Sequence, residues 1–164
     1  MPRILFLAAN PDNADTLLAG DELRQIEAAL KNSPFEVIAK PAAQLGDLSG
    51  LLSQFKPQIV HFSGHGSSYG ELMFVNEQGK SQSVPIAALA DLFRLFNSYV
   101  RCVVLNSCYS DEQANVIAGQ IDCVVSVWAK LNRNSNSNRG NLYRCVQLQQ
   151  QHSSSQPKPS CAML

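Results

Sequence analysis

Two runs of this chain deliver residues suited to nucleophilic chemistry. Val60 to Phe74 reads VHFSGHGSSYGELMF, and Cys102 to Ala114 reads CVVLNSCYSDEQA. The first apolar run ends in His65, held between Gly64 and Gly66; the second ends in Cys108, just before a segment of helical composition. An ordinary thiol has a pKa of about 8.5, so little of it is thiolate at neutral pH. A neighbouring imidazole and the positive end of a helix dipole both raise that share. Glycines on either side of a histidine let backbone approach closely, and the amides of Gly66 and Cys108 can then aim at one developing oxyanion. Together these features describe acyl transfer through a thioester.

Taken singly, each residue also has a plainer reading. A cysteine at the end of a buried strand behaves as a small core hydrophobe. Cys102 and Cys123, within or at the start of strands, are read that way. Gly-His-Gly also suits a simple tight turn. His61, four residues before His65, reads as a core or supporting histidine.

The elements that must position His65 and Cys108 alternate along the chain. Ile4 to Ala8, Phe35 to Ala39, Ile59 to Ser63, Val100 to Leu105 and Cys123 to Val127 are short and apolar nearly throughout, the mark of strands covered on both faces. DELRQIEAALKN and PIAALADLFRLF carry apolar residues at three- and four-residue spacing, which predicts helices packed on a sheet. DLSGLLSQFKP predicts a shorter helix stopped before Pro57, and SDEQANVIAG one that opens with Ser110 as N-cap. GELMFVNEQGKSQSVP reads as a hairpin turning at Asn76-Glu77-Gln78-Gly79, inserted beside the His65 loop. Strand and helix in alternation predict an α/β domain, a three-layer sandwich with a largely parallel sheet. In such sheets functional groups gather at the carboxyl ends of the strands, where both His65 and Cys108 fall.

Composition bounds the rest. At 164 residues with 45% apolar content, the chain suits one domain with a sizeable core. Its 13 basic and 13 acidic residues cancel, so net charge points to neither nucleic acid nor membrane. All the acids precede Cys123, while Lys130, Arg133, Arg139, Arg144 and Lys158 follow it. The five cysteines show no zinc-ligand spacing, and a reducing cytoplasm with free thiols is expected. No apolar run has signal-peptide or membrane-span character. After Trp128 the periodicity ends in an Asn-, Ser- and Gln-rich stretch. The expected organisation is a domain over residues 1–128 and a polar, basic, disordered tail over 129–164. The terminal Cys161-Ala162-Met163-Leu164 matches a prenylation pattern, a weak signal on a Ser/Pro-rich tail.

IVHFSGHG, the segment beginning GELMF, and CVVLNSCYSDEQANVIAGQIDCVV together resemble the CHAT domain of bacterial caspase-like cysteine peptidases. RILFLAANPDNADTLLAGDELRQIEAAL resembles the opening of stand-alone bacterial CHAT domains, and the likeness runs from about Arg3 to Val127. The resemblance implies a caspase–hemoglobinase fold and a Cys–His dyad, with His65 as general base or acid, Cys108 as nucleophile, and the Gly66 and Cys108 amides as oxyanion hole. It also implies a protein or peptide substrate, with no metal and no cofactor. Members usually continue after the fifth strand through a helix and a further strand that wall the substrate cleft; here that region reads SVWAKLNRNSNSNRGNLYRCVQLQQQHSSS, with no amphipathic helix, so the C-terminal part of the fold is incomplete or disordered.

Three readings therefore stand: a cysteine endopeptidase, a catalytically impaired CHAT-type interaction or regulatory module with a protein partner, and a flavodoxin-like signalling or nucleotide-binding domain. NPDNADT lacks the glycines of a phosphate-cradling loop, which disfavours a nucleotide.

Overall fold

The computed structural model describes residues 1–9, 16–67, 69–107, 110–128 and 142–146; residues 16–18, 110, 128 and 142–146 are described by backbone alone. Cys108, the expected nucleophile, and most of the expected tail lie outside the described residues.

The chain alternates strand and helix as its apolar pattern requires. Strand β1 (Arg3–Ala9) leads to helix α1 (Thr16–Leu30), β2 (Glu36–Lys40), a short 3-10 turn at Leu45–Asp47, α2 (Leu48–Phe55) and β3 (Ile59–Gly64). The hairpin β4 (Glu71–Val75) and β5 (Ser81–Pro85) comes next, followed by α3 (Ile86–Phe96), β6 (Cys102–Asn106), α4 (Ser110–Ile117), β7 (Cys123–Trp128) and β8 (Leu142–Val146). One sheet runs in the order β2-β1-β3-β6-β7-β8, and β4 and β5 form a second, two-stranded sheet. Every pairing in the large sheet from β2 to β7 is parallel; β8 runs antiparallel to β7. Strand β8 is not among those the sequence predicts, because LYRCV lacks a continuous apolar run.

Helices cover both faces, giving the expected three layers. On one face Leu5, Leu7, Val60, Phe62, Val103 and Leu105 pack with residues of α2 (Leu48, Leu52), α3 (Leu89, Phe93) and α4 (Ala114, Ile117). Each fully buried Leu or Phe contributes about 2 kcal/mol of transfer free energy before ordering entropy is counted. On the other face Phe6 and Ala8 of β1 meet Ala19, Leu23 and Ile26 of α1. The apolar spacing in DELRQIEAALKN thus faces the sheet as predicted, although the helix starts five residues earlier, at Thr16.

The strands are not covered equally. Ile4 to Ala9 of β1 are all buried, as a continuous apolar run requires. Strand β2 is exposed or partly exposed along its whole length because it is an edge strand, with β1 as its partner and no strand beyond it among the described residues. In β6 and β7, Val103, Leu105 and Val124 are sealed in the core, whereas Cys102, Val104, Cys123 and Val125, on the α1 side, stay partly exposed. Reading Cys102 and Cys123 as core hydrophobes is therefore corrected: α1 lies over β1, and the face of β6 and β7 on that side is less covered.

The hairpin turns where the sequence places it. Asn76 Oδ1 accepts hydrogen bonds from the amides of Gln78 (3.0 Å) and Lys80 (2.8 Å), and Gly79 takes φ +74°, a region that glycine enters without a Cβ clash.

Candidate functional site

Strands β3 and β6 are neighbours, paired in parallel with Ser63 opposite Asn106. His65 follows Ser63 by two residues, and Cys108 follows Asn106 by two in the sequence. The chain thus leaves the sheet for both residues at the same carboxyl edge and at the same level. Helix α4 begins at Ser110, and the side chain of that expected N-cap lies outside the described residues.

The His65 loop is fastened tightly. Gly64 sits opposite Ala9 of β1, and a Cβ on it would stand 2.8 Å from the Ala9 carbonyl oxygen and 2.9 Å from Cζ of Phe62. Only glycine fits there. Beyond it, the Met73 amide donates to the His65 carbonyl (2.9 Å) and the Ser67 amide to the Glu71 carbonyl (2.9 Å), which makes Gly66 and Leu72 an antiparallel bridge pair. These bonds come from residues flanking Gly66, so in this pairing its own N–H points away from β4. Ser67 Oγ lies 3.3 Å from the Glu71 carboxylate and accepts from the Glu71 and Tyr69 amides, each at 3.3 Å. His65 itself is partly exposed.

Beneath the loop, one buried and one partly buried polar residue join the strand ends. Gln113 of α4 has no solvent exposure; its Oε1 accepts from Ser107 Oγ at 2.8 Å and its Nε2 donates to the Glu71 carbonyl at 3.3 Å. It therefore connects the residue before Cys108 to the strand that clamps His65. Glu22 of α1 does the same for the β3 and β6 ends. Its Oε1 accepts from His61 Nε2 at 2.8 Å and from Asn106 Nδ2 at 2.7 Å. Burial alone would raise the Glu22 pKa, but the hydrogen bond and charge of His61, with hydrogen bonds from Ser63 and Asn106, outweigh it and hold the carboxyl below its ordinary value. The ring of His61 stacks on Phe6, centroids 5.1 Å apart. His61 is thus the supporting histidine the sequence suggested. A further clasp joins α4 to β7, where Ser126 Oγ donates to Asp111 Oδ1 at 2.5 Å.

Glu22 and Gln113 were not among the expected site residues. Each carries a sequence signal: Glu22 lies in the stripe Ala19, Leu23, Ile26, and Gln113 is four residues before the buried Ile117, so both polar side chains share a helix face with core residues. Of the expected site residues, His65 and Gly66 are placed in this loop, and Cys108 lies outside the described residues. Among the described residues no cluster of His, Cys, Asp and Glu is arranged to hold a metal, and no helix is long and apolar enough to cross a membrane.

Comparison with known proteins matches this architecture. A Roc-COR-CHAT protease from an unknown prokaryotic organism is 25% identical over 134 residues, which cover 75% of this chain and 13% of that protein. The chain thus spans a small part of the relative it matches. The profile of the CHAT domain matches residues 4–129, from the first residues of β1 to just past the end of β7, and the chain accordingly belongs to the CHAT domain family.

Proposed function

We propose that this CHAT domain is a cysteine endopeptidase working through Cys108 and His65. The observation that carries the reading is the parallel register of Ser63 with Asn106, from which each residue is two positions on. In the proposed reaction His65 takes the thiol proton, and the Cys108 sulfur attacks the scissile carbonyl. The amides of Gly66 and Cys108 stabilise the oxyanion that forms. His65 then gives its proton to the leaving amine, the C–N bond breaks, and a thioester remains. Water, deprotonated by His65, hydrolyses it and restores the thiol. The substrate is a protein or peptide, as the name of the related protease suggests for that protein, and the setting is the reducing cytoplasm.

Acyloxymethyl-ketone peptides carrying Arg, Lys, Asp or Asn at the warhead position test this reading. The expected result is covalent labelling of Cys108 by at least one probe, absent in Cys108→Ala and strongly reduced in His65→Ala. Failure of all probes to label Cys108 in the folded chain favours the second reading, a CHAT-type module that binds a regulatory protein without cutting it. That reading draws on the partly exposed Val104 and Val125, over which the described residues place no second helix.

A further inference from the structure

Two cysteines outside the candidate dyad face each other across the sheet. Cys102 opens β6, Cys123 opens β7, and they are direct Cα partners in the parallel register of those strands. Adjacent strands lie about 4.8 Å apart, inside the Cα separation of about 4.4–6.8 Å that a disulfide tolerates. Registered partners in a parallel pair project to the same face, here the less covered one, where both cysteines are partly exposed while Val103 and Val124 beside them are sealed. Side chains at this level do meet across the two strands. Arg101 and Asp122, each immediately before a cysteine, pair at 3.1 Å. Both thiols also sit at the first position of their strands, held through backbone bonds from Cys102 to the Gln58 carbonyl (3.1 Å) and from Cys123 to the Arg101 carbonyl (3.0 Å).

We propose that Cys102 and Cys123 are a reversible dithiol–disulfide pair that staples β6 to β7. The oxidant is a low-molecular-weight disulfide such as oxidised glutathione. One cysteine thiolate attacks it, forming a mixed disulfide and expelling one small thiolate. The second cysteine thiolate then attacks the protein sulfur of that bond and expels the other small thiol. The two protein thiols are oxidised, two small thiols carry away their protons, and one protein S–S bond forms. Parallel Cβ atoms begin about as far apart as the strands, wider than the roughly 3.5–4.5 Å of a relaxed disulfide, so the bond draws the strand starts together and is readily reduced. The pair lies at the opposite end of the strands from the His65 loop, and the inference does not depend on the peptidase reading.

The test uses the full chain equilibrated across a glutathione redox series, trapped with N-ethylmaleimide and digested for peptide mapping. The expected product under oxidising conditions is a Cys102–Cys123 cross-linked peptide, two hydrogens lighter than its reduced parts and lost on return to reduced glutathione. Phenylarsine oxide, which bridges neighbouring thiols, should bind the reduced chain and lose that site in both Cys102→Ser and Cys123→Ser. The proposal is overturned if each cysteine instead carries its own glutathione, if both stay reduced throughout, or if either pairs with Cys145, whose backbone is registered opposite Val125. Mapping of the wild-type chain decides between these outcomes even if a serine variant fails to fold.

Discussion

The carboxylate of Glu22 accepts hydrogen bonds from His61 at 2.8 Å and, through the same oxygen, from Asn106 at 2.7 Å, so a single helix residue holds the carboxyl ends of β3 and β6 together. These are the strand ends that lead to His65 and Cys108. Replacing Glu22 by Ala leaves the buried His61 and the partly buried Asn106 without this acceptor, at a cost of roughly 1–3 kcal/mol. Urea unfolding monitored by circular dichroism should show this as a lower midpoint with an unchanged slope.

The same carboxyl makes stability depend on pH. Its folded-state pKa lies below the ordinary 4.5, so its contribution is fully present above that value and is lost as the pH falls through the folded-state pKa. Midpoints measured from neutral to acid pH should fall in wild type, and the fall should be shallower in Glu22→Gln, which cannot titrate. Parallel acid profiles for the two proteins would contradict this account of Glu22.

Gln113 offers a separate handle on the two halves of the site. Gln113→Leu keeps similar volume but leaves the buried Ser107 hydroxyl without its acceptor and removes one of the two donors to the Glu71 carbonyl, which keeps the Ser67 amide. The expected loss is roughly 1–3 kcal/mol. Faster amide hydrogen exchange at Met73 and Ser67, whose bonds clamp the His65 loop, should accompany it.

Gly64 is fixed by the close approach of β1. In Gly64→Ala the new methyl would lie 2.8 Å from the Ala9 carbonyl oxygen, backbone that cannot rotate aside. Overpacking of this kind costs about 1–3 kcal/mol. The variant should unfold at lower temperature than Gly46→Ala, where nothing lies within 4 Å of the added carbon.

How much of this was legible in the sequence follows from the kind of signal involved. The strands β1, β3, β6 and β7 and the faces of α1 and α3 could be read because apolar runs and helical spacing are local. Sheet order is not local: that β3 lies between β1 and β6 emerges only when the pairs form. The need for glycine at position 64 comes from a carbonyl 55 residues earlier, and no spacing rule carries it. Glu22 and Gln113 were hidden for a related reason. A polar residue on an apolar helix face looks like an interruption of the pattern until the partners on the sheet are known. Cys102 and Cys123 read as core thiols because their strands are apolar throughout; which face α1 would leave less covered was a matter of packing.

The claim that most needs testing is that His65 activates Cys108. The direct measurement is the rate of iodoacetamide alkylation at each cysteine at pH 7, resolved by peptide mass spectrometry in wild type and in folded His65→Ala. The account predicts that Cys108 is the fastest-reacting thiol in wild type and that His65→Ala slows it by about tenfold or more while the other cysteines keep their rates. Equal Cys108 rates in the two proteins, or a Cys108 slower than Cys161 in wild type, would contradict it.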